Sequence, residues 1–213
     1  MKLYSYYRSS ASYRLRIALK LKGIAYDYHA VNLLQAEQRC DAYLAINPLG
    51  LVPTLILDDG ARLTQSSAII EYLEETHPEP ALLPENPLAR ARVRSLVNAV
   101  ACEIQPLCNS GVTEHLKKVM GVSDAGIGEW YERWMPRGFV AVEEMLETAS
   151  TAFATGDAPG MADIFLVPQV YNARRFNLDM APYPNITRVV DACNELPAFI
   201  EAAPEQQPDA PSS

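Results

Sequence analysis

The chain has 213 residues, enough for one large domain or two small ones. Its 18 Lys and Arg against 26 Asp and Glu give a formal net charge of −8, which excludes a general basic surface for nucleic acid. No apolar run reaches the ~18 residues of a membrane-spanning helix, and the first residues lack the apolar stretch of a secretory signal. We therefore expect a cytoplasmic protein with neither nucleic acid nor membrane as partner.

The first eighty residues alternate between short β-prone runs and helical patterns. Strands are predicted at residues 3–6, 26–31, 52–57 and 61–64, the last two joined by a hairpin through Asp59-Gly60. Helices are predicted at residues 14–21, 36–46 and 66–76. The predicted order is β-α-β-α-β-β-α.

The composition changes after residue 76. Residues 77–87 hold four prolines, which neither a helix nor a central strand accommodates, so they are predicted to be a linker. Helices are predicted at residues 88–119, 127–149 (interrupted near Pro136 and Gly138), 161–176 and 186–196. We predict an α/β domain over residues 1–80 and an all-α domain over 88–213, ending in a loosely ordered tail at 204–213.

Patterns for common catalytic chemistry are missing from the sequence. The three histidines are scattered, the four cysteines form no CxxC pair, and no glycine-rich nucleotide loop is present, so no metal site is expected. What remains is a run of serines, Ser9, Ser10 and Ser12, between the first strand and the first helix. Such a run can bind an anion at a helix N-terminus or simply cap the helix, and the local sequence leaves both interpretations open.

Longer motifs carry a family resemblance. They are SSASYRLRIAL (residues 9–19), NPLGLVPTL (47–55), QSSAIIEYLEE (65–75), IQPLCN (104–109) and ADIFLVPQVYNARRFNLD (162–179). As a set they resemble the zeta class of glutathione transferases, the maleylacetoacetate and maleylpyruvate isomerases, and the resemblance extends over nearly the whole chain. It implies a thioredoxin-like glutathione-binding domain, a helical substrate-binding domain, a homodimer and a place in aromatic amino acid catabolism.

The resemblance also implies roles for individual residues. Ser9 would donate to the glutathione sulfur, with Ser10 beside it and Arg8 adjoining. The remaining contacts of the glutathione cofactor would come from Gln38 (glycyl carboxylate), Val52 (backbone of the cysteinyl part), Pro53 (a cis-proline), and Gln65 and Ser66 (γ-glutamyl end). The last pair precedes the predicted helix at 66–76, and a helix N-terminus favours a carboxylate.

For the second substrate, a small carboxylate, the resemblance points to two arginines. Arg8 and Arg175 would bind its anionic groups, whereas Arg174 would point about 100° away in a helix and face solvent. Gln105 and Asn109, four apart on one predicted helix, would line the same cleft. The implied reaction is cis–trans isomerisation of a conjugated diketo acid by thiolate addition, bond rotation and elimination.

Two positions depart from the family pattern. Ala11 stands where the family usually has a cysteine, and Gly160 stands where a Ser or Thr usually caps a helix, although Asp163 keeps a carboxylate in that helix's first turn. Two alternative functions stay open. One is a transferase or dehalogenase acting on short α-halo acids, and the other is a non-catalytic glutathione-fold binding protein. The sequence does not separate maleylacetoacetate from maleylpyruvate as substrate.

Overall fold

The computed structural model describes residues 1–147 and 151–211. The chain divides into two compact units, one of residues 1–82 and 194–213 and one of residues 83–193. The change of unit after Leu82 falls inside the predicted linker at 77–87.

The first unit contains, over the described residues, a sheet of four strands. They are β1 (Lys2–Ser5), β2 (Asp27–Ala30), β3 (Thr54–Ile56) and β4 (Arg62–Thr64). The helices of the first eighty residues are α1 (Ser10–Leu21), α2 (Asp41–Leu44) and α3 (Ser66–Thr76), with 3-10 turns at Leu33–Gln35 and Glu37–Arg39. The strand order is β2-β1-β3-β4, in which β1 pairs parallel to β2 and antiparallel to β3, and β3 pairs antiparallel to β4. This is the predicted thioredoxin-like arrangement.

The sheet brings three loops to one of its ends. Tyr4 of β1 lies opposite Thr54 of β3, and Thr54 lies opposite Thr64 of β4. Because β3 runs against both neighbours, the end of β1, the beginning of β3 and the end of β4 coincide. The segments that follow β1, precede β3 and follow β4 therefore meet at this end of the sheet.

The second unit is helical in its described part. Its helices are α4 (Pro87–Asn98), α5 (Gln105–Cys108), α6 (Ser110–Lys118), α7 (Asp124–Leu146), α8 (Met161–Arg175) and α9 (Pro184–Asn194), with a π-helical segment at Ala99–Ile104. The prediction of an all-α unit is confirmed. The N-terminus of α8 lacks a hydroxyl cap, but Asp163 accepts the Gly160 and Ala154 N–H groups, each at 2.8 Å.

Two predicted helices in this unit differ from the structure. The helix predicted at 88–119 is divided, because Asn109 is extended (φ −76°, ψ 161°) and its side chain caps α6 by accepting the Val112 N–H. The interruption predicted near Pro136 and Gly138 is wrong, since α7 is continuous through both. Gly138 lies so close to Ile104 that a Cβ would overlap the isoleucine side chain, so close packing explains this glycine. The predicted end of the same helix at 149 lies outside the described residues.

The end of the chain belongs to the first unit. A further helix, α10 (Pro197–Ala202), packs on α1, where the Tyr13 hydroxyl donates to the Phe199 carbonyl at 3.3 Å and Arg16 Nε donates to the Ala202 carbonyl at 2.9 Å. The sequence placed these residues in the second domain because nothing in their local pattern records the partner. The tail predicted to be loosely ordered is held as well, since Gln207 Nε2 donates to the carbonyls of Glu201 and Ala203. Its last two residues lie outside the described ranges.

No helix within residues 1–147 and 151–211 is both long and apolar enough to cross a membrane.

Candidate active site

The loop between β1 and α1 presents a serine at the helix N-terminus. Ser9 is the N-cap of α1, and its Oγ accepts the Ser12 N–H at 3.2 Å. A hydroxyl has one hydrogen and two lone pairs, so capping uses a lone pair and leaves the hydrogen for another acceptor. The two interpretations of the serine run are therefore compatible. Ser10 begins the helix and is buried.

Arg8 adjoins this turn. Its side chain is half-buried, and its Cζ lies 5.7 Å from the centre of the Tyr7 ring. The turn itself is closed by a hydrogen bond from the Ser9 N–H to the Tyr6 carbonyl at 3.0 Å. A cation thus stands next to the serine that caps α1, and both charge and helix N-terminus favour an anion there.

The loop before β3 offers a stretch of extended backbone. The Val52–Pro53 peptide is cis, as the family resemblance implied, and a second cis bond, Glu79–Pro80, was not predicted. Within the described residues, neither the N–H nor the carbonyl of Val52 has a hydrogen-bond partner. An extended peptide such as a cysteinyl residue can pair with such a backbone segment.

Neighbouring groups hold this loop in place. The Leu51 carbonyl accepts from the Tyr43 hydroxyl and from Asn47 Nδ2, each at 2.7 Å. Val52 itself packs in one buried cluster with Tyr6, which connects the loop to the end of β1. The Ser9 turn and the Val52 loop therefore share a packed base.

The N-terminus of α3 has features of an anion site. Gln65 stands at the N-cap with φ +68° and ψ 112°, and its side chain makes no capping bond. A positive φ is uncommon outside glycine and is often found where a ligand is held. Ser66 follows, buried, and its Oγ accepts from Nη1 of Arg14 at 3.4 Å. Arg14 is only 2% exposed, so it adds a fixed positive charge beside these helix N–H groups.

Gln38 lies in the second 3-10 turn, half-buried. Its Oε1 is buried without a hydrogen-bond partner. Its carbonyl oxygen lies 2.9 Å from where a Cβ of residue 50 would stand, and Gly50 also has φ +61°, so this loop requires glycine for two reasons. A role toward the glycyl carboxylate remains a prediction that would use the Gln38 amide N–H groups.

The second unit contains a cavity of about 500 Å³ that includes Arg175. Its lining includes Ser110, Thr113, Lys117, Lys118, Tyr131 and Arg175. Both lysines are paired with carboxylates that also line the cavity, Lys117 with Asp124 and Lys118 with Glu114. The Cζ of Arg175 lies 4.3 Å from the centre of the Phe176 ring, which in turn stacks on Tyr131 at 3.9 Å. These contacts orient the guanidinium at the cavity wall.

Three other predicted residues have different surroundings. Arg174 is exposed and pairs with Asp191 at 3.4 Å, which confirms the expectation that it faces solvent. Gln105 and Asn109 do not share one helix face, because the chain leaves the helix at Asn109. The Asn109 amide is engaged in capping α6 and in donating to the Pro106 carbonyl at 2.6 Å. Neither residue is among those that line the Arg175 cavity.

The protein's own thiols are poor nucleophiles where they are buried. Burial raises the pKa of Cys108 to about 12 and also raises that of Cys193, which lies 3.7 Å from an Asp163 oxygen. Cys40 and Cys102 are exposed. In the part of the chain that the structure describes, no cluster of three His, Cys, Asp or Glu side chains could hold a metal ion.

Sequence reasoning missed the buried charges of the first unit. Arg14 and Arg16 lie in α1 among buried apolar residues, and both are almost fully buried. The signal was present, since Tyr13, Leu15 and Ile17 to Leu19 leave these arginines no polar face of the helix. For Asp209, whose carboxylate accepts from the Tyr7 N–H and the Tyr28 hydroxyl, the neighbouring sequence gives no sign of these contacts.

Comparison with known proteins places the chain in a family. Residues 3–81 match the family model described as the glutathione S-transferase N-terminal domain. The chain is 47% identical over 215 residues to a maleylacetoacetate isomerase of Pseudomonas aeruginosa, with 100% of each chain covered. It is 49% identical over 213 residues to a maleylpyruvate isomerase of a Ralstonia species, with 99% of this chain and 100% of that one covered.

Solved structures agree with the fold. A holo maleylpyruvate isomerase, a bacterial glutathione S-transferase of the zeta class, superposes with a TM-score of 0.96 at 48% identity and covers 99% of this chain and 100% of its own. A maleylacetoacetate isomerase of Anaeromyxobacter dehalogenans with bound GSH gives a TM-score of 0.89 at 48% identity, covering 99% and 97%. The same protein has been solved with dicarboxyethyl glutathione and citrate in its active site, at 47% identity with the same TM-score and coverage.

A thioredoxin-like sheet with a serine capping its first helix and a cis-proline before its third strand, together with a helical unit, is the architecture of a glutathione transferase. The chain belongs to the zeta class of that family, with the maleylacetoacetate and maleylpyruvate isomerases. The resemblance read from the motifs is thereby confirmed, and so is the fold. The roles of individual site residues stay predictions.

Proposed function

We propose that this protein is a glutathione-dependent isomerase that converts the cis form of maleylacetoacetate or maleylpyruvate to the trans form. The observation that carries the proposal is the meeting of three features at one end of the sheet. These are the Ser9 hydroxyl at the N-terminus of α1, the unpaired Val52 backbone and the N-terminus of α3 beside Arg14. They match, in order, a thiol, a peptide backbone and a carboxylate, which are the groups that glutathione contains.

When bound, glutathione supplies a thiolate that adds to the substrate double bond and later departs, so it is regenerated. The protein's part is to keep that sulfur ionised. A thiol of pKa ~8.5 is about 3% thiolate at pH 7, and lowering its pKa to ~6.5 makes it about 75% thiolate. The shift requires ~2.7 kcal/mol, which a hydroxyl hydrogen bond to a charged atom (~1.5–3 kcal/mol) and a helix N-terminus (~0.3–2 kcal/mol) can supply. Ser9 provides both.

Cations are needed for the substrate. A diketo acid carries carboxylate groups, and negative charge develops on its conjugated system during reaction. Arg8, next to Ser9, is proposed to stabilise that charge, and Arg175 is proposed to bind a carboxylate through its two parallel N–H bonds. Tyr131 and Phe176 keep the guanidinium of Arg175 in a fixed plane.

The deciding experiment is an isomerase assay with each cis-diketo acid in the presence and absence of glutathione, followed by loss of the enol absorbance. Turnover that depends on glutathione, without consumption of glutathione, is expected. Release of halide from an α-halo acid with no isomerisation would establish the dehalogenase alternative. Bound glutathione with no turnover of any of these compounds would establish a binding protein instead.

A homodimer and a cytoplasmic location are parts of the same proposal. Leu49 and Leu51, which precede the Val52 loop, expose 60% and 55% of their surface, an apolar pair suited to a second copy of the chain. Four free cysteines fit a reducing compartment. Light scattering should report twice the chain mass at micromolar concentration, and Leu49→Asp should lower it. Cell fractionation tests the location.

A further inference from the structure

The carboxylate of Asp209, close to the end of the chain, contacts the backbone that leads into Ser9. Its Oδ2 accepts the Tyr7 N–H at 3.0 Å, and its Oδ1 accepts the Tyr28 hydroxyl at 2.6 Å. Burial, and then the hydrogen bond to Asp209, raise the pKa of Tyr28, so its hydroxyl remains a donor at neutral pH. Asp209 therefore bridges the first turn and β2.

Arg16 fixes the other side of the same backbone. Its Nη2 donates to the Tyr7 carbonyl at 2.9 Å, and its Nη1 donates to the Tyr6 carbonyl at 3.5 Å. Its Nε donates to the Ala202 carbonyl, in the C-terminal segment that also carries Asp209. Arg16 is fully buried, so its side chain has little freedom to move.

Both polar groups of the Tyr7 backbone are thus held from outside the turn. Asp209 holds the N–H and Arg16 holds the carbonyl, while the Tyr6 carbonyl also accepts the Ser9 N–H. Only Arg8 separates this fixed residue from Ser9. Because the loop is short and both backbone groups of Tyr7 are anchored, the position of Tyr7 determines the positions of the next two residues. A displacement of a catalytic group by about 1 Å is enough to lower the rate about 10²-fold.

We propose that Asp209 is a positioning residue for the thiolate site: by holding the Tyr7 N–H, it sets where the Ser9 hydroxyl and the Arg8 guanidinium stand. This inference rests on the proposed function. Asp209 touches neither the reacting atoms nor Ser9, so its effect is indirect. It acts on the ionisation of the bound thiol and on turnover, and much less on the affinity for glutathione, which Val52, Gln65 and Ser66 are proposed to hold.

Two substitutions separate hydrogen bonding from charge. Asp209→Ala removes the acceptor of the Tyr7 N–H. Asp209→Asn removes the charge but keeps the bridge, because the amide oxygen accepts from Tyr7 and the amide N–H donates to the Tyr28 oxygen. We expect Asp209→Ala to lower kcat about 10-fold, to raise the pKa of the bound thiol, and to change the Kd of glutathione less than about 3-fold. Asp209→Asn should remain within about 3-fold of the wild type in kcat.

Ultraviolet titration of the bound thiolate is the readout that a merely structural role would not move. A negative charge acting only through its field would have the opposite sign, since removing it would lower the thiol pKa in both variants. That result, or a thiol pKa equal to the wild type's in Asp209→Ala, would overturn the proposal. Should Asp209→Ala fail to fold, Tyr28→Phe loosens the same carboxylate and is expected to raise the thiol pKa and lower kcat by about 3-fold.

The matched control is Glu201→Gln. Glu201 also lies in the C-terminal segment and pairs with Lys20 of α1 at 2.6 Å, but its side chain does not touch the turn. The kcat of the Glu201→Gln variant and the pKa of its bound glutathione thiol should equal those of the wild type. A second measurement needs no activity: hydrogen exchange at the Tyr7 amide should be slow in the wild type and at least 10-fold faster in Asp209→Ala. A wild type with no bound thiolate would overturn the proposed function, whereas an active wild type with an unaffected Asp209→Ala overturns the positioning role alone.

Discussion

Ser9 accepts the backbone N–H of Ser12 through its side-chain oxygen at 3.2 Å. Ser123, at the start of α7, makes the same contact with the Gly126 N–H, also at 3.2 Å. The two serines are thus equal as helix caps, and only Ser9 stands at the end of the sheet where the Val52 loop and the α3 N-terminus meet. This pair allows the capping role of a serine to be separated from a catalytic one.

Replacing Ser9 by Ala should therefore have two effects. The free energy of unfolding should fall by about 1 kcal/mol for the lost cap. The pKa of the bound thiol should rise and kcat should fall about 10²-fold, the scale of losing one well-placed donor, while the Kd of glutathione stays nearly unchanged. Ser123→Ala should lose about the same stability and keep full activity. Equal thiol pKa values in Ser9→Ala and the wild type would reduce Ser9 to a cap.

Arg175 and Arg174 form a second matched pair. Arg175→Lys keeps the charge but loses the planar fork that stacks on Phe176 and is proposed to bind a carboxylate through two N–H groups, so kcat and kcat/KM should both fall by about 10-fold or more. Arg174→Lys alters only an exposed pair with Asp191 and should be silent. Steady-state kinetics with calorimetry of glutathione binding distinguishes them. Unchanged kinetics in Arg175→Lys would leave Arg8 as the arginine proposed to bind the anionic groups of the second substrate.

The buried ion pair of Lys22 and Glu74 should govern the stability of the first unit. Lys22 Nζ, 0% exposed, lies 2.8 Å from Glu74 and also donates to the carbonyls of His77 and Pro80, while Glu74 accepts the Leu82 N–H. Glu74→Ala leaves a buried charge without its partner and should cost about 3–5 kcal/mol in urea unfolding.

Two further variants control this result. Glu201→Gln, which breaks the exposed pair with Lys20, should cost below about 1 kcal/mol. Lys22→Met combined with Glu74→Ala should recover part of the loss, because the uncompensated charge is then removed. A cost for Glu74→Ala no larger than that of Glu201→Gln would contradict the prediction.

Cysteine reactivity should follow burial. Cys40 and Cys102 are exposed, whereas Cys108 and Cys193 are buried with raised pKa values, so a disulfide reagent at pH 8 should modify the first two in the native protein and all four after denaturation. The double variant Cys40→Ser/Cys102→Ser should isomerise at the wild-type rate within about 2-fold, since the nucleophile comes from glutathione. A larger loss would implicate a protein thiol.

Local sequence patterns predicted the elements whose cause is local. The helix predicted at residues 66–76 is α3, residue for residue, because its apolar face and its first serine both lie within it. The start of α1 was predicted four residues late, since the serines that open it are also typical of turns. The break at Asn109 was missed although Asn-Ser-Gly is a usual helix start, because the apolar pattern on either side continued with helical spacing.

The residues of the candidate site also differ in whether local sequence could predict them. Ser9 stood out as a residue before a helix, but only the family resemblance gave it a chemical role. The positions of Val52 and Gln65 at the same end of the sheet depend on the antiparallel pairing of β3, which motif spacing does not record. The contacts of Arg16 and Asp209 join residues that lie 186 and 202 positions from their partners, far beyond any local pattern.

Tyr7 and Asp209, 202 positions apart in the chain, are synthesised at different times. At ~5–20 residues per second, translation of the chain takes roughly 10–40 s, and Tyr7 is made at the beginning of that interval while Asp209 is made at its end. Until residues 197–202 are made, α1 has no α10 to pack on. Arg16, which donates to the Tyr6 and Tyr7 carbonyls, then lacks its third acceptor, the Ala202 carbonyl. The first unit, although it begins the chain, completes its folding after the second unit has been synthesised. A fragment ending at the linker would therefore leave the Tyr13 hydroxyl and Arg16 Nε of α1 without their acceptors in α10, the carbonyls of Phe199 and Ala202.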